Sequence, residues 1–254
     1  MINVVAEEED TNPALVFASV HKAYGRRPVL QGIDLEVGRG ELFGLVGANG
    51  AGKTTLIKSL LDFQSLDKGE ILIFGELHRM PASRRHLAFL PERFVPPHYL
   101  TGNDFLRYIT RLHGVDLNAG EVHRLLRQLD LAPEALTLSV RRFSKGMTQK
   151  LGLMGCFLSG RPLLVLDEPM SGLDPKARAH VKELLRQQQA LGHTVFLTTH
   201  LLPDVASLCD RFAILHGGRL LFTGTPEMCC ARFGGTDLEQ AYLNAIGPHD
   251  SGCQ

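Results

Sequence analysis

Apolar and polar positions along this chain switch repeatedly between a period of two and a period near 3.6. Leu15–Val20 alternates well enough for a strand, and a second runs from about Leu30 to Val37 with Ile33, Leu35 and Val37 on one face. Glu41–Val46, Leu163–Asp167 and Thr194–Thr198 are short and nearly wholly apolar, the pattern of strands covered on both faces. Gly69–Phe74 reads as a glycine-bounded strand, and the apolar end of Arg84–Leu90 enters another. Phe212–His216 and Leu220–Phe222 flank Gly217-Gly218 as a hairpin. Helical spacing is found at Leu56, Ile57, Leu60 and Leu61, at Phe105, Tyr108, Ile109 and Leu112, at Val122, Leu125, Leu126 and Leu129, and over residues 148–159. Asp174 is placed as the N-cap of a helix that opens on Pro175 and runs to about Leu191. Shorter helices near Pro226–Phe233 and Leu238–Ile246 close the chain.

Strands alternating with helices imply an α/β fold. No strand signal falls between Gly102 and Leu163, so a helical subdomain is expected at about residues 101–160, inserted into the α/β core. Pro91, Pro96 and Pro97 make residues 91–100 an irregular loop. Residues 1–13 read as a flexible tail, 14–234 as the main domain and 235–254 as a C-terminal helix and tail. Composition narrows the function. Lys and Arg balance Asp and Glu at 27 each, which argues against nucleic acid as a partner. No window reaches the roughly 18 apolar residues of a membrane span, and the acidic start, Glu7-Glu8-Glu9-Asp10, is unlike a leader peptide. Any membrane role is therefore expected to come through a partner. The five cysteines show no Cys-x-x-Cys spacing, which suits reduced thiols.

The densest chemistry lies at Gly47-Ala-Asn-Gly-Ala-Gly-Lys-Thr-Thr55, between an apolar strand and a helical stretch. It matches Gly-x-x-x-x-Gly-Lys-[Ser/Thr] at every fixed position. Gly47, Asn49, Gly50, Ala51 and Gly52 form a loop whose backbone N–H groups can turn inward around phosphates. Lys53 adds a mobile positive charge, and the hydroxyl of Thr54, followed by Thr55, can ligate Mg²⁺. The pattern implies a nucleoside triphosphate. Leu163-Leu-Val-Leu-Asp167-Glu168 is an apolar strand ending in two carboxylates, with Asp167 suited to Mg²⁺ and Glu168 to an attacking water. His200 follows another buried strand and can reach the same place, because strand C-termini converge on one edge of such a sheet. Tyr24 either stacks on a nucleobase or is a half-buried strand-end tyrosine; position alone leaves the two even.

These motifs, in this order, resemble the ATP-binding cassette (ABC) ATPases over nearly the whole chain. The resemblance implies a P-loop NTPase core of ABC ATPase type, with an antiparallel β subdomain and an inserted α-helical subdomain. Phe143-Ser144-Lys145-Gly146-Met147 is similar to the family signature Leu-Ser-Gly-Gly-Gln, and Ser171-Gly172-Leu173-Asp174 occupies the place of the dimer-interface loop. The resemblance also implies a head-to-tail dimer, of two copies or with a paralogue. Two ATP molecules would lie between the Gly47–Thr55 loop of one cassette and Ser144, Lys145, Gly146 and Met147 of the other. Three residues depart from the family: Lys145 for a glycine, Met147 for a glutamine, and Glu92 for the glutamine that senses Mg²⁺ and water. The Ser-Lys-Gly-Met form and the tail Leu238–Gly247 are similar to bacterial export cassettes that serve a separate permease. The resemblance thus implies an ATPase using ATP and Mg²⁺, peripheral on the cytoplasmic face of the membrane and bound to an integral membrane permease. Phe94, Val95 and Tyr99 are then expected in the docking groove. A soluble assembly machine and a non-hydrolysing nucleotide switch remain as alternatives.

Overall fold

The computed structural model describes residues 12–247. The expected tail therefore lies, apart from Asn12 and Pro13, outside the described residues. Ten strands are named in chain order: β1 (Leu15–Tyr24), β2 (Arg27–Val37), β3 (Leu42–Val46), β4 (Lys68–Ile73), β5 (Glu76–Leu77), β6 (Leu87–Leu90), β7 (Leu163–Asp167), β8 (Thr194–Thr199), β9 (Arg211–His216) and β10 (Arg219–Gly224). The helices are α1 (Lys53–Leu60), α2 (Gly102–Leu112), α3 (Ala119–Gln128), α4 (Lys145–Leu158), α5 (Pro175–Ala190), α6 (Leu202–Leu208), α7 (Pro226–Phe233) and α8 (Leu238–Ile246).

The strands form two sheets. One has the order β10-β9-β3-β8-β7-β6, with β9, β3, β8, β7 and β6 parallel and β10 antiparallel at its edge. Strands β3, β7 and β8 are buried at every position, as parallel strands covered on both faces must be. The other sheet, β2-β1-β4-β5, is antiparallel. It packs with α1 on one face of the large sheet around Phe17, Ile33, Phe43, Leu56, Ile71, Val165 and Phe196. Phe196 lies between the sheets, stacked on Phe43 at 6.0 Å and tilted against Phe17 at 6.1 Å. Residues of α2 through α8 fill the opposite face.

Between β6 and β7 the chain is helical or irregular, with α2, α3 and α4 packed through Phe105, Leu106, Leu125, Leu151 and Met154. Thr101 caps α2 by accepting from the Asp104 N–H at 3.1 Å, while the Asp104 carboxylate accepts from the Thr101 N–H at 3.3 Å. Two expectations need correction. Helix α4 starts at Lys145, three residues before its apolar spacing, because Ser144 caps it. Helix α6 has no counterpart among the expected elements; it is seven residues long with Pro203 in its first turn. Phe94 is half-buried, edge-on to Phe105 at 5.4 Å, whereas Val95 and Tyr99 are 60% and 84% exposed.

Gly152 of α4 permits this close packing. A Cβ there would stand 2.5 Å from Leu90 Cδ1 and 2.9 Å from Phe94 Cδ1, the residues on either side of Glu92. Gly152→Ala is expected to destabilise the protein by about 1–3 kcal/mol through overpacking, a helix-propensity gain notwithstanding. Urea denaturation measures it, and an unchanged midpoint would mean that Leu90 and Phe94 yield freely.

Candidate functional site

The loop between β3 and α1 is built by exclusion. A Cβ on Gly47 would lie 2.4 Å from the Leu215 carbonyl oxygen, and Gly52, at φ +115°, would meet the Val29 carbonyl oxygen at 3.0 Å. Gly52 is also the N-cap of α1 and supplies no side-chain cap, so the first-turn N–H groups remain available to an anion. Lys53 is buried and its Nζ donates to the Gly47 carbonyl at 2.5 Å and the Ala48 carbonyl at 3.3 Å. Burial lowers its pKa, while the charges of Glu168, Asp167 and Glu92 act to raise it. Thr54, on the exposed side of the same turn, presents its hydroxyl to solvent.

Register brings the acids in from two strands away. Asp167 pairs across the ladder with Thr198, whose Oγ1 donates to Asp167 Oδ1 at 2.5 Å. Thr198 Oγ1 in turn accepts from the Glu168 N–H at 3.1 Å, and the Thr198 carbonyl accepts from the same N–H at 3.2 Å. Glu168 leaves the strand at φ +49°, a left-handed backbone uncommon for a side-chain-bearing residue and costing on the order of 1 kcal/mol. The turn swings its carboxylate away from Asp167 and onto His200, with Oε1 2.9 Å from Nδ1. Burial raises the pKa of both acids; the Thr198 hydrogen bond opposes it at Asp167, and His200 and Lys53 oppose it at Glu168.

One cleft gathers Tyr24, Asn49, Gly50, Gly52, Lys53, Thr54, Thr55, Glu92, Asp167, Glu168 and His200. Gly47 and Ala51 lie beneath it, buried in the loop. Tyr24 ends β1 on the rim of the cleft and is 52% exposed, its hydroxyl donating to Gln64 Oε1. Sequence reasoning passed over Arg27 and Val29, which also line the cleft, and Thr198, which reads as an ordinary strand residue. Three carboxylates around one buried lysine leave excess negative charge, which suits a divalent cation arriving with a triphosphate. Among the described residues no three His, Cys, Asp or Glu converge on a metal position. Mg²⁺ takes few protein ligands and fills the rest of its sphere with water and phosphate oxygens; Asp167, Thr54 and Glu92 are the residues that would hold it.

The signature residues are not in this cleft. Ser144 caps α4, its Oγ accepting from the Met147 N–H at 3.2 Å, and Lys145 opens the helix. Lys145 is exposed, with its stem over Gly172, where a Cβ would meet Cε at 2.7 Å. Gly146 stands next to Leu173 and Gly172, so the signature and the 171–174 loop abut within one chain. Lys145, Ser171 and Glu92 line a second hollow, and Glu92 is shared with the first. Asp174 caps α5 as expected, Oδ1 accepting from the Ala177 N–H at 2.9 Å.

Residues 30–171 match the family described as ABC transporter. A daunorubicin resistance ATP-binding protein of Streptomyces coeruleorubidus is 34% identical over 230 residues, covering 89% of this chain and 72% of that protein. An uncharacterized ABC transporter ATP-binding protein of Nostoc sp. is 38% identical over 204 residues, 77% of this chain; the match spans only 59% of that relative's length. A solved ATP binding subunit of an ABC transporter superposes with a TM-score of 0.84 at 34% identity, covering 92% of this chain and 100% of that one. The chain belongs to the ABC transporter family, and its fold is the P-loop fold of that family's ATPases.

The raised carboxyl pKa of Glu168 has a stability consequence. An acid whose folded pKa lies above its ordinary value of 4.5 binds protons more tightly when folded, so it costs stability as pH climbs through that window. Without nucleotide or metal, Glu168→Gln is expected to melt above wild type at neutral pH, with the gain fading as pH falls toward 4.5 and absent below it. Melting curves across pH test this, and a variant no more stable than wild type at neutral pH contradicts the burial argument.

Proposed function

We propose that this chain is the ATP-hydrolysing subunit of an export system. In this reading it works as a head-to-tail dimer on the cytoplasmic face of a separate membrane permease. The observation that carries the ATPase reading is the convergence of Lys53, Asp167, Glu168 and His200 on the cleft beside the uncapped end of α1. Export follows the names of relatives such as the daunorubicin resistance protein. The dimer rests on the separation of the signature from the loop, since an N-terminal turn at Ser144–Gly146 offers a second phosphate-binding end that one chain leaves outside its own cleft.

In the mechanism, the loop N–H groups and Lys53 hold the β- and γ-phosphates. Thr54, Asp167 and Glu92 would hold Mg²⁺, which would supply neutralisation of the phosphate charge. Glu168 orients a water and takes its proton; a buried carboxyl with a raised pKa is suited to that work. His200 holds the carboxylate in place through Nδ1, which must carry the proton when Glu168 is ionised. Tyr24, exposed on the rim with Arg27 and Val29 beside it, offers its ring to the base. Permease docking falls to Phe94, Val95 and Tyr99 of the loop after β6, of which Val95 and Tyr99 are exposed.

Glu168→Gln is expected to retain ATP binding and lose about 10²-fold or more in turnover, with the ATP-bound dimer persisting in gel filtration. Lys53→Ala should instead weaken binding. Near wild-type turnover for Glu168→Gln removes that residue from the chemistry. Tyr24→Ala should weaken ATP affinity by about 1 kcal/mol, with Tyr24→Phe close to neutral, as titration calorimetry can read. Equal losses in both would assign the effect to the hydroxyl and Gln64, not to the ring.

A further inference from the structure

Helix α4 enters the interior at Gln149. Ser144 and Lys145 are exposed, the next three residues are partly covered, and Gln149, 4% exposed, is the first buried residue of the helix. The buried residues after it are leucine, glycine, methionine, cysteine and phenylalanine, so Gln149 carries the one amide side chain among them. Apolar packing does not select an amide here, because burying one without a partner is costly. The partner is specific: Gln149 Nε2 donates to the Pro169 carbonyl oxygen at 3.0 Å.

Pro169 directly follows Glu168. Residues Glu168-Pro169-Met170-Ser171 form a turn closed by the Ser171 N–H, which donates to the Glu168 carbonyl at 3.0 Å. Proline suits the second place of such a turn, and the closing hydrogen bond leaves its carbonyl unused. Proline has no N–H, so that carbonyl is the only hydrogen-bonding group on its backbone, and Gln149 takes it up. On the other side, the Glu168 N–H is held by the Thr198 carbonyl at 3.2 Å and hydroxyl at 3.1 Å. The backbone around Glu168 is therefore held from two directions, by β8 before it and by α4 after it. A side-chain-bearing residue at φ +49° persists only where its surroundings over-determine it, and the Gln149 amide is one of those constraints.

We propose that Gln149 is a positioning residue for Glu168: by holding the Pro169 carbonyl it fixes the turn that aims the Glu168 carboxylate at His200, and it ties that aim to the placement of α4. The inference rests on the reading of Glu168 as the group that handles the attacking water. It gives the helix that begins at the signature a direct link to the hydrolytic corner of its own chain.

The test is Gln149→Met in the full chain, which keeps the length of the side chain and removes its donor. The kcat for ATP is expected to fall about 10-fold or more, the scale of a small misplacement of a reacting group, while the Kd for ATP stays within about twofold. Lys53 and the phosphate loop belong to β3 and α1, outside the turn, so affinity should not follow turnover. Gln149→Asn, which withdraws the amide by one methylene, should show the same split more weakly, and it carries the test if methionine prevents folding. Leu125→Ala in α3, a buried position of the helical subdomain, lowers the melting temperature without touching the hydrogen bond. Assayed below its melting transition, it should keep wild-type turnover. An equal loss of kcat in Leu125→Ala at a matched drop in melting temperature makes Gln149 a packing residue and overturns the proposal, as does failure of both Gln149 variants to fold. A kcat within about twofold of wild type in the Gln149 variants, or a rise in Kd that accounts for the whole loss, overturns this inference alone. Near wild-type turnover in Glu168→Gln overturns the reading of Glu168, and this inference with it.

Discussion

A buried ammonium group is costly unless its protons are spoken for, and the placement of Lys53 governs the rest of this molecule. Its hydrogen bonds go to loop carbonyls, its charge is balanced by acids from β7 and the loop after β6, and its helix begins on an uncapped glycine. Each partner comes from a different part of the chain. The two-layer packing of sheets, with Phe196 between them, holds those parts in register closely enough for a single positive charge to be shared. The strained backbone at Glu168 belongs to the same arrangement. It separates two adjacent carboxylates so that one stays on the strand-end hydroxyl of Thr198 and the other turns to His200.

Much of this was legible because it depends on local chemistry. The glycine loop, the apolar strands, the Asp174-Pro175 helix start and the Gly217-Gly218 hairpin each carry their instructions in a few neighbouring residues. What was not legible depends on partners far along the chain. Helix α6 shows apolar residues at Leu202, Val205 and Leu208, but Pro203 and its short length hide the period. Thr198 looks like any strand threonine until the parallel register sets it opposite Asp167. Phe94 sits among prolines in an irregular stretch, and only the close approach of α4 at Gly152 shows that it faces inward.

The two hollows of the molecule differ in construction. The first is a fixed corner of strand ends and a helix N-terminus. The second is walled by Arg93, Phe94 and Val95 from the irregular loop and by Lys145 and Thr148 from the start of α4. Glu92 stands at their common edge, exposed on a backbone without ladder or helix hydrogen bonds to anchor it. Charge and shape at the second hollow can therefore change without displacing the first.

The parallel register of β7 on β8 also bears on how such a protein diversifies. Side chains in a strand alternate, so slipping the pair by a single residue would turn the Asp167 carboxylate into the opposite layer and remove it from the hydroxyl of Thr198. No gradual drift is open to that ladder; it is kept whole or lost. Loops leaving its ends face no such all-or-none choice. Connections such as residues 91–100 can be rewritten one residue at a time, while the ruled sheet beneath keeps the same measure.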